Sequence, residues 1–219
     1  MKFEATLWDL DGTLVDSLED IATSMNRVLE RLRLPMHSLE TYRGFVGEGV
    51  EVLVNRALPE SHRDDETCRR AVADMREIYG NNLLIKTKPY DGIPGVLNEI
   101  HLRGLSMSVL SNKPHGPTRE MVSACFADHQ FVKVAGARPE VPKKPDPTAA
   151  LAIARKLGVA PEKFLYFGDT AIDMKTAVSA GMFPVGVLWG FRGPDELLPA
   201  GAKVLVKSPA DLLAWLKGL

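Results

Sequence analysis

Cysteine is almost absent from this chain. Cys68 and Cys125 are the only two in 219 residues. They lie far apart and in no metal-ligand spacing, which predicts free thiols in a reducing compartment, not a disulfide framework or a zinc site. Long apolar runs are missing too. None approaches the ~20 residues that a membrane span needs, so no membrane segment is expected. The opening stretch MKFEATLWDLDG carries acids where a signal peptide needs an unbroken apolar core. A cytoplasmic location is therefore the expectation. Nor does charge of one sign dominate. Lys and Arg number 27 against 28 Asp and Glu, for a formal net charge of −1. That balance implies no global pull toward nucleic acid or an anionic membrane. What remains is a chain with 45 % hydrophobic residues and the length to bury a substantial core.

The hydrophobic pattern changes period along the chain. FEATLW (3–8) is short, apolar and bounded by turn chemistry, which predicts a buried strand. Leu18, Ile21, Ala22, Met25, Val28, Leu29 and Leu32 then recur at three and four, the spacing of an amphipathic helix. Ser17 with Asp20 three residues later fits an N-terminal cap. Further helices are expected near 38–44, 50–57 and 64–80, and no strand stands out between 16 and 85. Beyond Pro89 the chain alternates. Helices are predicted at 93–104, 116–127, 147–157, 171–180 and 209–217. Strands are predicted at 105–110, 131–136, 163–168, 183–189 and 203–206. Such alternation predicts an α/β fold with a parallel sheet covered on both faces. The helical block interrupts it after the first strand. The expected organisation is a discontinuous core, 1–14 and 88–219, carrying an inserted α-helical domain at 15–87.

In open parallel sheets, ligands bind outside the carboxyl ends of the strands. Four sets of polar residues fall at that edge. The first apolar run ends at Asp9, with Asp11 two residues on. The second ends at Ser111-Asn112-Lys113, and the third leads through a loop to Lys143-Lys144. The fourth ends at Gly168-Asp169-Thr170, with Asp173 one helical turn later and leaning back toward Asp169. Each has an ordinary alternative. Asp11-Gly12-Thr13 suits a turn, Ser111-Asn112 and Asp169-Thr170 suit helix caps, and PKKPDP suits a solvated basic loop. Those alternatives are independent of one another, so they do not explain why acids, hydroxyl and lysine arrive together. Two carboxylates about 4 Å apart repel by roughly 4 kcal/mol at an effective dielectric of about 20. An acidic cluster must therefore take up protons or a cation. Oxygen-only ligands with room for water favour magnesium.

Asp9-Leu10-Asp11-Gly12-Thr13-Leu14, Ser111-Asn112, Lys144 and Gly168-Asp169-Thr170 with Asp173 resemble the four motifs of the haloacid dehalogenase (HAD) superfamily. Their order and spacing agree over nearly the whole chain. The helical insert resembles the cap of phosphoglycolate phosphatase-like members, as do 42–58 and 89–100. The resemblance implies a Rossmann-like core and a Mg2+-dependent phosphatase that acts on a small phosphorylated metabolite. Asp9 would be the nucleophile and Asp11 the proton shuttle. Ser111, Gly12, Asn112 and Lys144 would hold the phosphoryl group. The Asp9 side chain, the Asp11 backbone carbonyl, Asp169 and Asp173 would hold the metal. Arg43 and the Gly47-Glu48-Gly49 loop would contact the rest of the substrate. A monomer or homodimer is expected.

Other reactions fit less well. Dehalogenating relatives lack an acid at the position of Asp11. Phosphonate cleavage in the family uses a cap lysine, and no lysine lies between Lys2 and Lys86. A mutase resembling β-phosphoglucomutase stays open because Arg43 could bind a second phosphate. A non-catalytic binding protein on the same fold would be marked by loss of the nucleophile, whereas Asp9 is present. There is no G-x-x-x-x-G-K-[ST] segment for a P-loop, and DLDGTL lacks the glycine spacing of a dinucleotide fold.

Overall fold

The computed structural model describes residues 3–218, and two compact units divide the chain. One holds the chain through Asp16 and from Pro89 onward, the other Ser17–Lys88. The expected core segments also include residues 1, 2 and 219, which lie outside the described residues.

In chain order, β1 (Ala5–Trp8) is followed by the two-residue β2 (Val15–Asp16). The helical unit then runs through α1 (Leu18–Arg31), α2 (Leu39–Phe45), α3 (Val50–Ala57) and α4 (Asp65–Asn81). β3 (Lys88–Pro89) pairs with β2 where the chain crosses between units, a short ribbon that no sequence pattern announces. Next come α5 (Ile93–Leu102), β4 (Ser106–Pro114), α6 (His115–Cys125) and β5 (Phe131–Ala137). The chain ends with α7 (Thr148–Leu157), β6 (Phe164–Gly168), α8 (Ala171–Ser179), β7 (Phe183–Val187), α9 (Pro194–Leu197), β8 (Val204–Val206) and α10 (Pro209–Lys217).

Six strands form one sheet in the order β5-β4-β1-β6-β7-β8, with every pair parallel. Parallel neighbours need long crossovers, and helices supply them. From β1 the chain builds outward through β4 to β5, then returns to lay β6, β7 and β8 on the other side. The direction of building reverses between β1 and β6. That switch point leaves a crevice outside the strand ends, where this architecture places ligands. Asp9 follows β1 and Asp169 follows β6, so the two acids border the crevice.

The central strands are apolar on both faces, as burial requires. All four residues of β1 and all five of β6 are buried. Trp8 stacks on Phe167 with ring centroids 3.9 Å apart, and its indole N–H donates to Thr6 Oγ1 at 2.9 Å. An aromatic pair of this kind adds about 0.5–1.5 kcal/mol beyond its buried area. It fixes β1 against β6 one residue before Asp9 and two before Asp169.

Three local expectations are corrected. β4 runs on through Ser111, Asn112 and Lys113, because pairing with β5 resumes at Pro114 after a register shift. Ser111 and Asn112 therefore do not cap the next helix, whose N-cap is Pro114. Ser17 stands at the N-cap of α1 but makes no side-chain cap bond. Asp20 is drawn away, accepting from the Lys86 amide at 2.9 Å, the Thr87 amide at 2.8 Å and Thr87 Oγ1 at 2.8 Å.

Candidate active site

β1 stops at Trp8, and residues 9–14 form a turn, not an extended strand end. The amides of Thr13, Leu14 and Val15 all donate to the Leu10 carbonyl, and the Gly12 amide donates to Val15 O. This turn sends the two neighbouring acids to different partners. Asp9 Oδ1 lies 2.8 Å from Lys144 Nζ, and Asp11 Oδ1 lies 3.0 Å from Lys113 Nζ.

Lys144 is the centre of the cluster. Its ammonium is buried and also contacts Asp173 Oδ1 at 2.7 Å. The solvated-loop alternative for Lys144 is thereby removed. Its backbone is clamped by Asn112, whose Oδ1 accepts from the Lys144 amide at 2.9 Å and whose Nδ2 donates to the Lys144 carbonyl at 3.1 Å. Asn112 was expected to touch substrate, yet its side-chain amide is committed to holding the lysine. Ser111 Oγ, also buried, accepts from the Lys113 amide at 3.1 Å.

Asp169 and Asp173 sit around the start of α8. Thr170 and Asp173 make a reciprocal cap: Asp173 Oδ2 accepts from Thr170 Oγ1 at 2.6 Å and from the Thr170 amide at 3.1 Å. Asp169 Oδ1 accepts from Thr13 Oγ1 at 2.9 Å, and Oδ2 from the Phe191 amide at 2.8 Å. The chain around it is pressed close. A methyl group on Gly12, which has φ +82°, would collide with the Asp169 carboxylate and the Phe191 ring. One on Gly190 would meet Gly12 O and Asp169. Trp189 donates its indole N–H to Thr13 O at 3.0 Å.

One carboxylate oxygen each of Asp9, Asp169 and Asp173 lies within 4.8 Å of the others, and all three residues are buried. Burial, with the nearby Asp173 charge, pushes Asp9 up to about 7, while Lys144 opposes the shift. Burial and the charges of Asp173 and Asp9 hold Asp169 well above the usual carboxylate range. Burial works against the Lys144 charge, but Asp173 and Asp9 hold it well above the usual lysine range. One ammonium, in contact with Asp9 and Asp173, is thus set against a cluster of three carboxylates. The surplus negative charge and the all-oxygen donor set fit a hard divalent cation. Asp11 stands outside this trio with its carboxylate on Lys113, so its expected metal contact would fall to its backbone carbonyl.

The remaining expected residues belong to the helical unit. Arg43, on α2, lies 3.4 Å from Glu40 Oε2. Gly47 and Gly49 flank Glu48 with φ of 125° and 93°, and Glu48 is ion-paired with Arg56. Sequence reasoning passed over Lys113, Thr13 and Thr170 as partners of the acids. It also passed over the Trp189-Gly190-Phe191 segment after β7. A signal existed for the first three, since they adjoin the motifs. None existed for the last, which lies about twenty residues beyond Asp169.

Known proteins resemble this chain in sequence and fold. The family model for haloacid dehalogenase-like hydrolases matches residues 6–187. A phosphoglycolate phosphatase of Pseudomonas putida is 33 % identical over 220 residues, covering 97 % of this chain and 78 % of the relative. That of Aquifex aeolicus is 31 % identical, covering 94 % and 93 %. Among solved structures, a Lactobacillus delbrueckii subsp. bulgaricus protein superposes with a TM-score of 0.91 at 26 % identity, over 99 % of both chains. A haloacid dehalogenase-like family protein of Streptococcus pneumoniae gives 0.88 at 25 %, over 98 % of both. The match spans all four motifs and the helical insert between the first two, and on that ground the chain belongs to the haloacid dehalogenase-like hydrolases.

Proposed function

We propose that this protein is a magnesium-dependent phosphatase that hydrolyses a small phosphate monoester through an aspartyl-phosphate, with phosphoglycolate the first substrate to test. The observation that carries the reading is the pairing of Asp9 with Lys144 beside Asp169, while Asp11 is held separately by Lys113. Two acids two residues apart thus answer to different lysines, which lets the protonation of a nucleophile and of a proton shuttle be set separately.

The roles follow from that division. An Asp9 carboxylate oxygen attacks phosphorus while the ester P–O bond breaks. Asp11 gives its proton to the departing alkoxide. Water then attacks the aspartyl-phosphate, Asp11 takes the proton from that water, and the Asp9–phosphorus bond breaks to release phosphate. Lys144 and the Ser111 hydroxyl bind phosphoryl oxygens and meet charge as it builds, while the Gly12 amide, committed to Val15 O, shapes the turn that carries Asp11. The side chains of Asp9 and Asp169 and the Asp11 carbonyl would hold Mg2+, with Asp173 binding directly or through water. Bound there, the ion supplies Lewis-acid stabilisation of the phosphoryl charge. Asn112 keeps Lys144 in place. Arg43 and the Gly47–Gly49 loop of the helical unit are proposed to select the rest of the substrate, since glycine lets backbone approach a ligand closely.

A cytoplasmic setting belongs to the same proposal, supported by two free, half-buried thiols. Among the described residues, no helix is long and apolar enough to cross a membrane.

The test is phosphate release from phosphoglycolate and a panel of sugar and nucleoside monophosphates, with Mg2+ present. Turnover should vanish in Asp9→Asn with the circular dichroism spectrum intact. Undiminished phosphate release by that variant would remove Asp9 as nucleophile. Isomerised product without free phosphate would replace the phosphatase by a mutase.

A further inference from the structure

A second cavity opens on the sheet-edge side of the core unit, between β5, α7 and the segment 138–144. It measures about 290 Å³. None of Asp9, Asp11, Gly12, Asp169 or Asp173 lines it, so it is not the space in front of the acidic cluster. Its floor includes Ser111, Asn112 and Lys144, so it adjoins the lysine side of that cluster, where Asn112 clamps the Lys144 backbone.

The chemistry of the lining is one-sided. Leu110, Val141 and Ile153 give it an apolar body. Lys133, Arg138, Lys143 and Lys156 bring four cationic side chains to its wall, and no carboxylate lines it. Lys133 comes from β5 and Lys156 from the last turn of α7, so two separate elements deliver charge to one space. Neither of these two lysines has a carboxylate partner among the described residues, whereas several exposed basic groups elsewhere do. Two lysines without a carboxylate partner, set on an apolar cavity that no carboxylate lines, describe the complement of an amphiphilic anion.

We propose that this cavity binds a small organic anion, a carboxylate or sulfonate on a compact aromatic or branched aliphatic body. The apolar wall takes the body, and Lys133 and Lys156 take the charge. The occupant lies against Asn112 and the segment that leads into Lys144.

Isothermal titration calorimetry with 2-naphthoate as probe tests the site without recourse to turnover. The wild-type protein and Asp9→Asn should bind it alike, saturably, with a Kd near or below about 1 mM, an affinity in line with a ligand of this size. Uncharged 2-naphthamide should bind at least about tenfold more weakly, because it keeps the body and loses the charge. Lys133→Gln/Lys156→Gln should lower naphthoate affinity by about tenfold or more. Lys156→Gln alone, on an exposed helix face, should give a smaller loss in the same direction and keeps the test open if the double variant fails to fold. Absence of saturable binding, equal affinity for the amide, or unchanged affinity in the lysine variants would overturn the proposal. So would binding that Asp9→Asn abolishes, since the probe would then occupy the catalytic cluster. Because Asp9→Asn should leave this binding untouched, failure of the phosphatase reading and failure of this one give different results.

Discussion

Lys113 Nζ lies 3.0 Å from Asp11 Oδ1, and both side chains are largely buried. The same lysine anchors the Ser111 hydroxyl through its backbone amide. One residue thus ties the proposed proton shuttle to a proposed phosphate-binding group.

Removing that tie should act on the step in which the alcohol departs. Lys113→Met keeps the length of the stem and deletes the charge. For alkyl phosphates, whose leaving group needs a proton, kcat should fall by about 10- to 100-fold with KM little changed, part of the 10²–10⁴ that general acid catalysis contributes. For p-nitrophenyl phosphate the loss should be clearly smaller, since nitrophenolate departs without help. Equal losses on both substrates would mean that Lys113 only supports the local structure.

The reasons the pairing of Lys113 with Asp11 was not legible in the sequence apply to much of the site. The four motifs were readable because each packs unusual chemistry into a few residues at the end of an apolar run. Asp9-Leu10-Asp11-Gly12 and Gly168-Asp169-Thr170 need no partner to be noticed. Their supports are ordinary residues whose role exists only in three dimensions. Lys113 reads as a loop charge until β4 is seen to continue through it. Phe191 reads as an apolar residue, but its amide is what Asp169 uses. Ser17 and Asp20 show the converse: a local cap pattern was present, and contacts with residues far along the chain won.

The loop after β7 offers a second test. Gly190 faces Asp169 and Gly12 O, with no room for a methyl group. Gly190→Ala should cost about 1–3 kcal/mol of stability, the usual range for overpacking. It should also weaken Mg2+ binding, because the displaced atoms include the Asp169 carboxylate. Urea unfolding and a Mg2+ titration followed by tryptophan fluorescence check both, with Trp189 bonded to Thr13 O as a nearby reporter. Wild-type stability together with wild-type ion affinity would contradict the close packing.

Acid titration and cation binding should be linked. In the apo protein burial raises Asp9 from 3.8 to about 7, and Asp169 shifts the same way. A carboxyl whose pKa rises on folding binds its proton more tightly in the folded state. Its contribution to stability is therefore present at low pH and lost as pH climbs from about 4 toward 7. A divalent cation replaces the proton as counter-charge. In chelator, the melting temperature should decline over that window, and millimolar Mg2+ should cancel most of the decline. The rise in melting temperature on adding Mg2+ should be small at pH 5 and large at pH 8. Equal shifts at the two pH values would argue against binding at this carboxylate cluster.

The helical unit carries its own buried acid. Asp20, on the first turn of α1, accepts from two successive amides, Lys86 and Thr87, and from the Thr87 hydroxyl. Residues 86 and 87 directly precede Lys88, the last residue of this unit, so a single carboxylate fastens the exit segment of the insert to its entry helix. Asp20→Ala would strand those donors in a buried setting, where each unmet group costs about 1–3 kcal/mol. A total loss of about 2–4 kcal/mol in urea unfolding is expected once water reaches some of them. Asp20→Asn retains an acceptor oxygen and should recover roughly half of that loss. A cap role at α1 would give another pattern: Asp20→Ser would then behave like the wild type, whereas a side chain too short to reach Lys86 and Thr87 should leave Asp20→Ser nearly as unstable as Asp20→Ala.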